Sequence, residues 1–223
     1  GALPCQVSPR RDRRAAASLQ THAMVKKNVY FGSGTVEKWL SNFASIEKPN
    51  GLKFGKHRYR SAENAYQSLK VEAEDRHRLA IGGDLEDLQG LSAIYPNPEV
   101  AAKKIKHWTA RSNPVLSGIV AKMATNPKYA KKLKLKLMPQ RNPPLKELEN
   151  VWREILTAKL KASPAFRKAL KGTGDARLIE FDRGAKRASD AGKPPFWTGL
   201  LKDGKLYGRN WMGKMMMKIR DEN

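Results

Sequence analysis

Ser61-Ala62-Glu63-Asn64-Ala65-Tyr66-Gln67-Ser68-Leu69-Lys70 is the stretch on which the reading of this chain turns. Wound at about 100° per residue, it puts Ala62, Ala65, Tyr66 and Leu69 on one apolar stripe, the i, i+3, i+4, i+7 spacing of a helix packed on a core. Glu63, Gln67 and Lys70 fall within roughly 60° of one another on the adjoining arc. A carboxylate, an amide and an amine then share one strip at the edge of a buried face. Ser61 is placed to cap this helix and sets Glu63 in its first turn. The plain alternative is a solvated face, because acid–lysine pairs at helical spacing are common and contribute only a few tenths of a kcal/mol.

Outward from this helix, three further elements recur. Leu40-Ser41-Asn42-Phe43 precedes it, and Phe196-Trp197-Thr198-Gly199 lies far downstream. The third is Leu206-Tyr207-Gly208-Arg209-Asn210-Trp211-Met212-Gly213-Lys214, which runs into Met215-Met216-Met217-Lys218-Ile219-Arg220. In this order, from about Tyr30 to the end, they resemble the NADAR family, the YbiA-like N-glycosidases. That family carries a Leu-Ser-Asn-Phe element and a Ser-x-Glu-x-x-x-Gln-x-x-Lys helix, then Trp-x-Gly, Gly-x-Asn-x-x-Gly and Met-x-x-Arg. The resemblance implies a YbiA-like α+β fold and cleavage of a ribose–base N-glycosidic bond. Its substrates would be ADP-ribose attached to guanine, in nucleic acid or as free nucleotide, or phosphorylated early intermediates of riboflavin synthesis.

The family's acid just before Trp-x-Gly is replaced here by Pro194-Pro195-Phe196, and the nearest acids are Asp190 and Glu180. Glu180 matches the family's Leu-x-Glu strand. Residues 82–145 lack the Arg-x-Asp-Trp pattern and carry many lysines. Candidate catalytic residues are Glu63, Lys70 and Glu180. Candidate substrate-binding residues are Ser41, Asn42, Arg60, Asn64, Gln67, Trp197, Gly208, Arg209 and Asn210.

Each role has a physical basis. N-glycoside cleavage passes through an oxocarbenium-like transition state, so a carboxylate such as Glu63 serves as water-activating base or electrostatic stabiliser. An opened sugar exposes an aldehyde at C1, with which Lys70 could form a Schiff base; simple cationic positioning is the alternative. Gln67 would orient sugar hydroxyls. Ser41 and Asn42 either contact substrate or form a capped turn beneath the core. Trp197 either stacks on a base or is core. Asn210 is read as the cap of the last helix, whose free N–H groups suit a phosphate, with Arg209 adding charge. Met212, Met215, Met216 and Ile219, at helical spacing, are read as core.

The chain has 223 residues, 40% of them hydrophobic, which suits one domain and provides for a core. No apolar run approaches the roughly 18 residues of a membrane span. One cysteine, Cys5, rules out an internal disulfide framework and fits an intracellular, reducing compartment. His57, His77 and His107 have no ligand spacing, and neither metal nor cofactor is expected. Lys and Arg total 44 against 21 Asp and Glu, a net +23. Such an excess attracts polyanions and points to DNA or RNA as a partner beside an ADP-ribose-containing ligand. Oligomeric state is left open.

Residues 1–23, with Pro9-Arg10-Arg11-Asp12-Arg13-Arg14 and then Ala15-Ala16-Ala17-Ser18, read as a disordered basic arm, with an organelle transit sequence as the alternative. Residues 24–223 read as the NADAR-like domain. Val29-Tyr30-Phe31 is a strand and Gly32-Ser33-Gly34 a turn. Pro49-Asn50-Gly51 is a hairpin turn between Ser45-Ile46-Glu47 and Leu52-Lys53-Phe54. Helices are expected from Asn97-Pro98, Asn113-Pro114 and Asn126-Pro127, over 145–160, over 164–170 and over 211–220, with a buried strand at 177–181. Residues 129–137 are ambiguous, since Lys-Leu alternation reads as strand in helical surroundings. The fold class is a helix-rich α+β single domain around a small β-sheet. The rival functions are a non-catalytic reader of ADP-ribosylated nucleic acid and a plain RNA-binding protein.

Overall fold

The computed structural model describes residues 27–32, 37–46, 51–108, 115–139 and 143–223. The expectations for the 1–23 arm, for Ser33-Gly34 and for Asn113-Pro114 lie outside them. The apolar run at residues 29–31 forms β1 (Asn28–Gly32), and one 3₁₀ turn at Lys38–Leu40 delivers Ser41 and Asn42 to the interior. β2 (Leu52–Phe54) and β3 (His57–Tyr59) form an antiparallel hairpin. The expected pairing of Ser45-Ile46-Glu47 with Leu52-Lys53-Phe54 is corrected: Ser45 and Ile46 are irregular, and residues 47–50 lie outside the described ones. The chain turns instead at Gly55, whose φ of 57° suits a residue without a Cβ, and buried Leu52 faces buried Tyr59.

α1 (Ala62–Ser68) begins where Ser61 Oγ accepts the Asn64 N–H at 3.1 Å. Leu69 is its C-cap, so Lys70 stands just past the helix rather than on it. A 3₁₀ run at Ala73–Leu79 ends before Gly82-Gly83. There follow α2 (Asp87–Ile94), α3 (Pro98–Trp108), α4 (Leu116–Ala124) and α5 (Pro127–Lys132), the last capped by the Asn126 side chain. The ambiguous lysine–leucine run divides. Its start is α5, while beyond it Leu133 and Leu135 are buried, Lys134 and Lys136 exposed, and Leu137 bridges to Val71 as a strand residue does.

α6 (Leu145–Ala162) carries Trp152, Ile155 and Leu156 into the core, and Ser163 caps α7 (Pro164–Lys171). β4 (Arg177–Phe181) pairs in parallel with β1, Asn28 opposite Arg177 and Gly32 opposite Phe181. α8 (Arg183–Asp190) leads to the hairpin of β5 (Leu200–Lys202) and β6 (Lys205–Tyr207). Its turn, Asp203-Gly204, has both φ values positive, 51° and 72°. α9 (Trp211–Asp221) closes the domain and buries Met212, Met215, Met216 and Ile219 as the periodicity predicts.

The architecture is helix-rich α+β. Among the described residues the expected single sheet is three separate two-stranded pairings. α1 lies between α4 and α6, while α9 packs on β4. No helix among the described residues is long and apolar enough to cross a membrane.

Candidate active site

Burial overturns the plain reading of α1. Glu63 is 7% exposed and Gln67 2%, so its polar strip faces protein rather than water. A buried polar group needs partners, and these have them. Gln67 Nε2 donates to Glu63 Oε1 at 2.7 Å, and Thr125 Oγ1, just past α4, donates to Gln67 Oε1 at 2.7 Å. The Glu63 N–H donates to Asn42 O at 2.9 Å, tying the Ser41-Asn42 loop to the start of α1. Burial raises the Glu63 carboxyl above the ordinary value, while the Gln67 hydrogen bond and the charges of Lys122 and Lys70 oppose that rise.

Glu180 on β4 is the second carboxylate. Its proton is held up to about 8, first by burial and then by the charges of Glu63 and Asp182, against Lys122 and Lys159. Asn210 Oδ1 accepts the Glu180 N–H at 3.0 Å, and the Gly199 N–H donates to Glu180 O at 2.8 Å, so its backbone is fixed from both sides. Lys159, 1% exposed on α6, donates to Ser41 O at 2.7 Å and Trp39 O at 3.3 Å. Its ammonium sits 4.2 Å from the Phe166 ring centroid. Burial lowers its pKa to about 7, with Glu180 opposing.

A cleft of about 940 Å³ opens beside this cluster, its wall including Tyr66, Lys70, Thr125, Glu147, Phe196 and Trp197. Trp197 is held edge-on by Tyr66, Trp152 and Trp211, with ring centroids 6.0, 6.0 and 5.3 Å away. The Lys70 ammonium lies 5.2 Å from the Tyr66 centroid. Glu63 and Glu180 are not on the cleft wall. Thr125 is, and the Thr125–Gln67–Glu63 hydrogen bonds run from the wall to the carboxylate.

The remaining expected site residues take other places. Arg60 is buried, donates to Glu86 at 2.7 Å and to Ile46 O at 3.4 Å, and so serves packing at the start of α1. Asn64 is spent on Ser61 and on Leu79 O. Ser41 Oγ accepts the Phe43 N–H, as a capped turn does. Asn42 is 3% exposed, and its Oδ1 has no hydrogen-bond partner among the described residues.

The expected cap and phosphate site on α9 are corrected. Asn210, in the left-handed region at φ 46°, makes no side-chain cap; its amide instead bonds the backbone of β4 at Glu180 N and Leu178 O. The first two N–H groups of α9 donate to Phe196 O and Trp197 O. Gly208 permits the close approach, since a Cβ there would stand 2.6 Å from Thr198 O, and Arg209 lies exposed with its guanidinium 5.7 Å from the Phe196 ring. The C-terminal motifs form a scaffold that aims Trp197 and fixes Glu180.

Sequence reasoning missed Lys122, Thr125 and Lys159. Only Lys159 left a signal, a lysine in the stripe otherwise formed by Trp152, Ile155, Leu156 and Leu160. A second groove, of about 810 Å³, lies between the β2–β3 hairpin and the outer face of α6, with Lys53, Arg58, Arg153 and Lys161 on its walls. Among the described residues no group of three His, Cys, Asp or Glu is gathered to hold a metal ion.

No protein-family model matches the chain, and no curated protein does. Two chains of known structure match. One is the NMR structure of the E. coli protein YbiA, 20% identical, with 92% of this chain and 90% of that one covered and a TM-score of 0.44.

Proposed function

We propose that this chain is an N-glycosidase that removes ADP-ribose from guanine, in nucleic acid or as free nucleotide. The observation that carries this reading is the pair of carboxylates in unlike environments. Glu63 accepts a hydrogen bond and feels two lysines, whereas Glu180 keeps its proton up to about 8. Two acids whose proton affinities are pushed apart divide the labour of glycoside cleavage.

In this scheme the electron pair of the C1–N bond goes to the departing guanine nitrogen, which takes the Glu180 proton. The Glu63 carboxylate faces the cation developing at C1. Water then adds to C1 and returns a proton to Glu180. In the covalent variant the Lys70 amine adds to C1 in place of water, the ring C1–O bond opens to give an iminium ion, and water releases the sugar. Trp197 forms the wall on which the base stacks.

The absence of an acid directly before Trp197 favours one rival, a non-catalytic reader of the same modification. The two separate on incubation with DNA bearing ADP-ribosylated guanine. Release of free ADP-ribose is expected; micromolar binding without release would replace the enzyme with the reader. Phosphorylated riboflavin-synthesis intermediates run in parallel identify the preferred substrate. Borohydride added during turnover traps the sugar on Lys70 if the covalent variant operates. Lys70→Arg, which keeps the charge but forms no imine at ordinary pH, would then lose activity; a fully active Lys70→Arg chain removes the covalent variant alone.

A further inference from the structure

Two elements bring a second lysine to the candidate site. Gly118 on α4 lies so close to α1 and its approach loop that a Cβ there would stand 2.9 Å from Phe43 Cδ1 and 3.2 Å from Glu63 Cβ. One turn further along, Lys122 projects from the same side of α4, its ammonium 5.3 Å from the centroid of the Phe43 ring. Three residues on, Thr125 bonds Gln67, and three residues after Gln67 comes Lys70, against the Tyr66 ring. Both lysines thus flank the segment that carries Glu63. Two ammonium groups at one apolar-walled site each raise the cost of the other's charge, a known way to obtain a nucleophilic lysine.

We infer that Lys122 is the like-charged neighbour that keeps Lys70 available as an amine nucleophile towards an aldehyde carbon, the group an opened ribose presents. The inference rests on the covalent variant above for its substrate, though not for its test. Bond making is balanced: the Lys70 nitrogen adds to the carbonyl carbon, the carbonyl oxygen gains two protons and departs as water, and hydrolysis of the imine reverses the step. Lys122 is a positioning residue here, acting through Lys70.

The charged and titratable groups facing Lys70 are Glu63 and Tyr66 on α1, Lys122 on α4, Arg76 in the 3₁₀ run and Glu147 on α6, the last two on the cleft wall. Burial against the wall lowers the proton affinity of Lys70 first, Glu63 opposes this, and Lys122 adds to it. The two neighbours therefore predict opposite effects.

The test reads the Lys70 amine directly. The full chain is labelled by reductive methylation across pH, and the rate at each lysine is followed by mass spectrometry, with exposed Lys202 and Lys205 as internal references. Lys70 should titrate below the references. Lys122→Gln should move its midpoint up by about half a pH unit, Lys122→Arg should leave it near wild type, and Glu63→Gln should move it down. Lys122→Met, which keeps the aliphatic stem on Phe43, should match Lys122→Gln and guards against a repacking artefact. A Lys70 midpoint unmoved or lowered in both uncharged variants overturns the inference. No substrate enters, so loss of the glycosidase reading would appear separately, as absence of ADP-ribose release with the Lys70 midpoint still displaced.

Discussion

At Glu180 the folded chain holds a proton that the unfolded chain surrenders near pH 4, the ordinary carboxyl range. A carboxyl raised in the folded state contributes stability that is complete below the unfolded value and lost as pH rises through about 8. Glu180→Gln cannot ionise, so its stability relative to wild type should climb between pH 5 and pH 9, by about 1–3 kcal/mol as read from urea midpoints. The same variant should lose the proton delivered to the leaving base, and wild-type kcat/KM should fall as pH passes about 8. A stability difference that stays flat with pH would show that Glu180 is ionised throughout. Glu63→Gln should reduce the rate by on the order of 10²- to 10⁴-fold. Its fold should survive, because an amide oxygen can still accept the Gln67 N–H that Glu63 accepts now. Wild-type cleavage by Glu63→Gln would end the assignment of this carboxylate.

Among the elements, the seam between α9 and β4 bears the greatest constraint. A Cβ on Gly213 would stand 2.3 Å from Leu178 O and 2.5 Å from the Asn210 side chain, so Gly213→Ala should push the helix off the strand. Asn210→Ala leaves Glu180 N and Leu178 O without their partner and should cost about 2–4 kcal/mol in chemical denaturation. Loss below about 0.5 kcal/mol in both would mean that the seam is not a determinant of stability. Most of these elements were legible beforehand. Proline and cap signals mark the starts of α3, α5 and α7, and the apolar run at 177–181 marks β4. The burial of Glu63 and Gln67 was not legible, because it depends on α4 coming close at Gly118, more than fifty residues away in sequence. For the site, Glu63, Gln67, Lys70 and Glu180 were found from spacing and resemblance. Arg60, Asn64 and Asn210 were misread because polar residues inside a core must satisfy backbone groups, and spacing does not distinguish that duty from ligand contact.

Over the whole molecule the charge of +23 is the leading property. Affinity for DNA should fall steeply with salt, whereas turnover of a mononucleotide substrate should hardly respond. Replacing Lys53 and Lys161, on opposite walls of the second groove, by alanine should lower the salt slope by about 2 and spare the mononucleotide reaction. A DNA affinity indifferent to salt would remove the argument from charge. The β1–β4 pairing has a consequence of another kind, set by the order of synthesis. Residues 28–32 must wait for residues 177–181. At about 5–20 residues per second, a ribosome leaves β1 unpartnered for on the order of ten seconds or more. Throughout that interval Phe31, fully enclosed in the finished domain, remains open to solvent or to whatever shelters the nascent chain. Neither the strand pair nor the α9 seam can close until nearly the whole domain has been made.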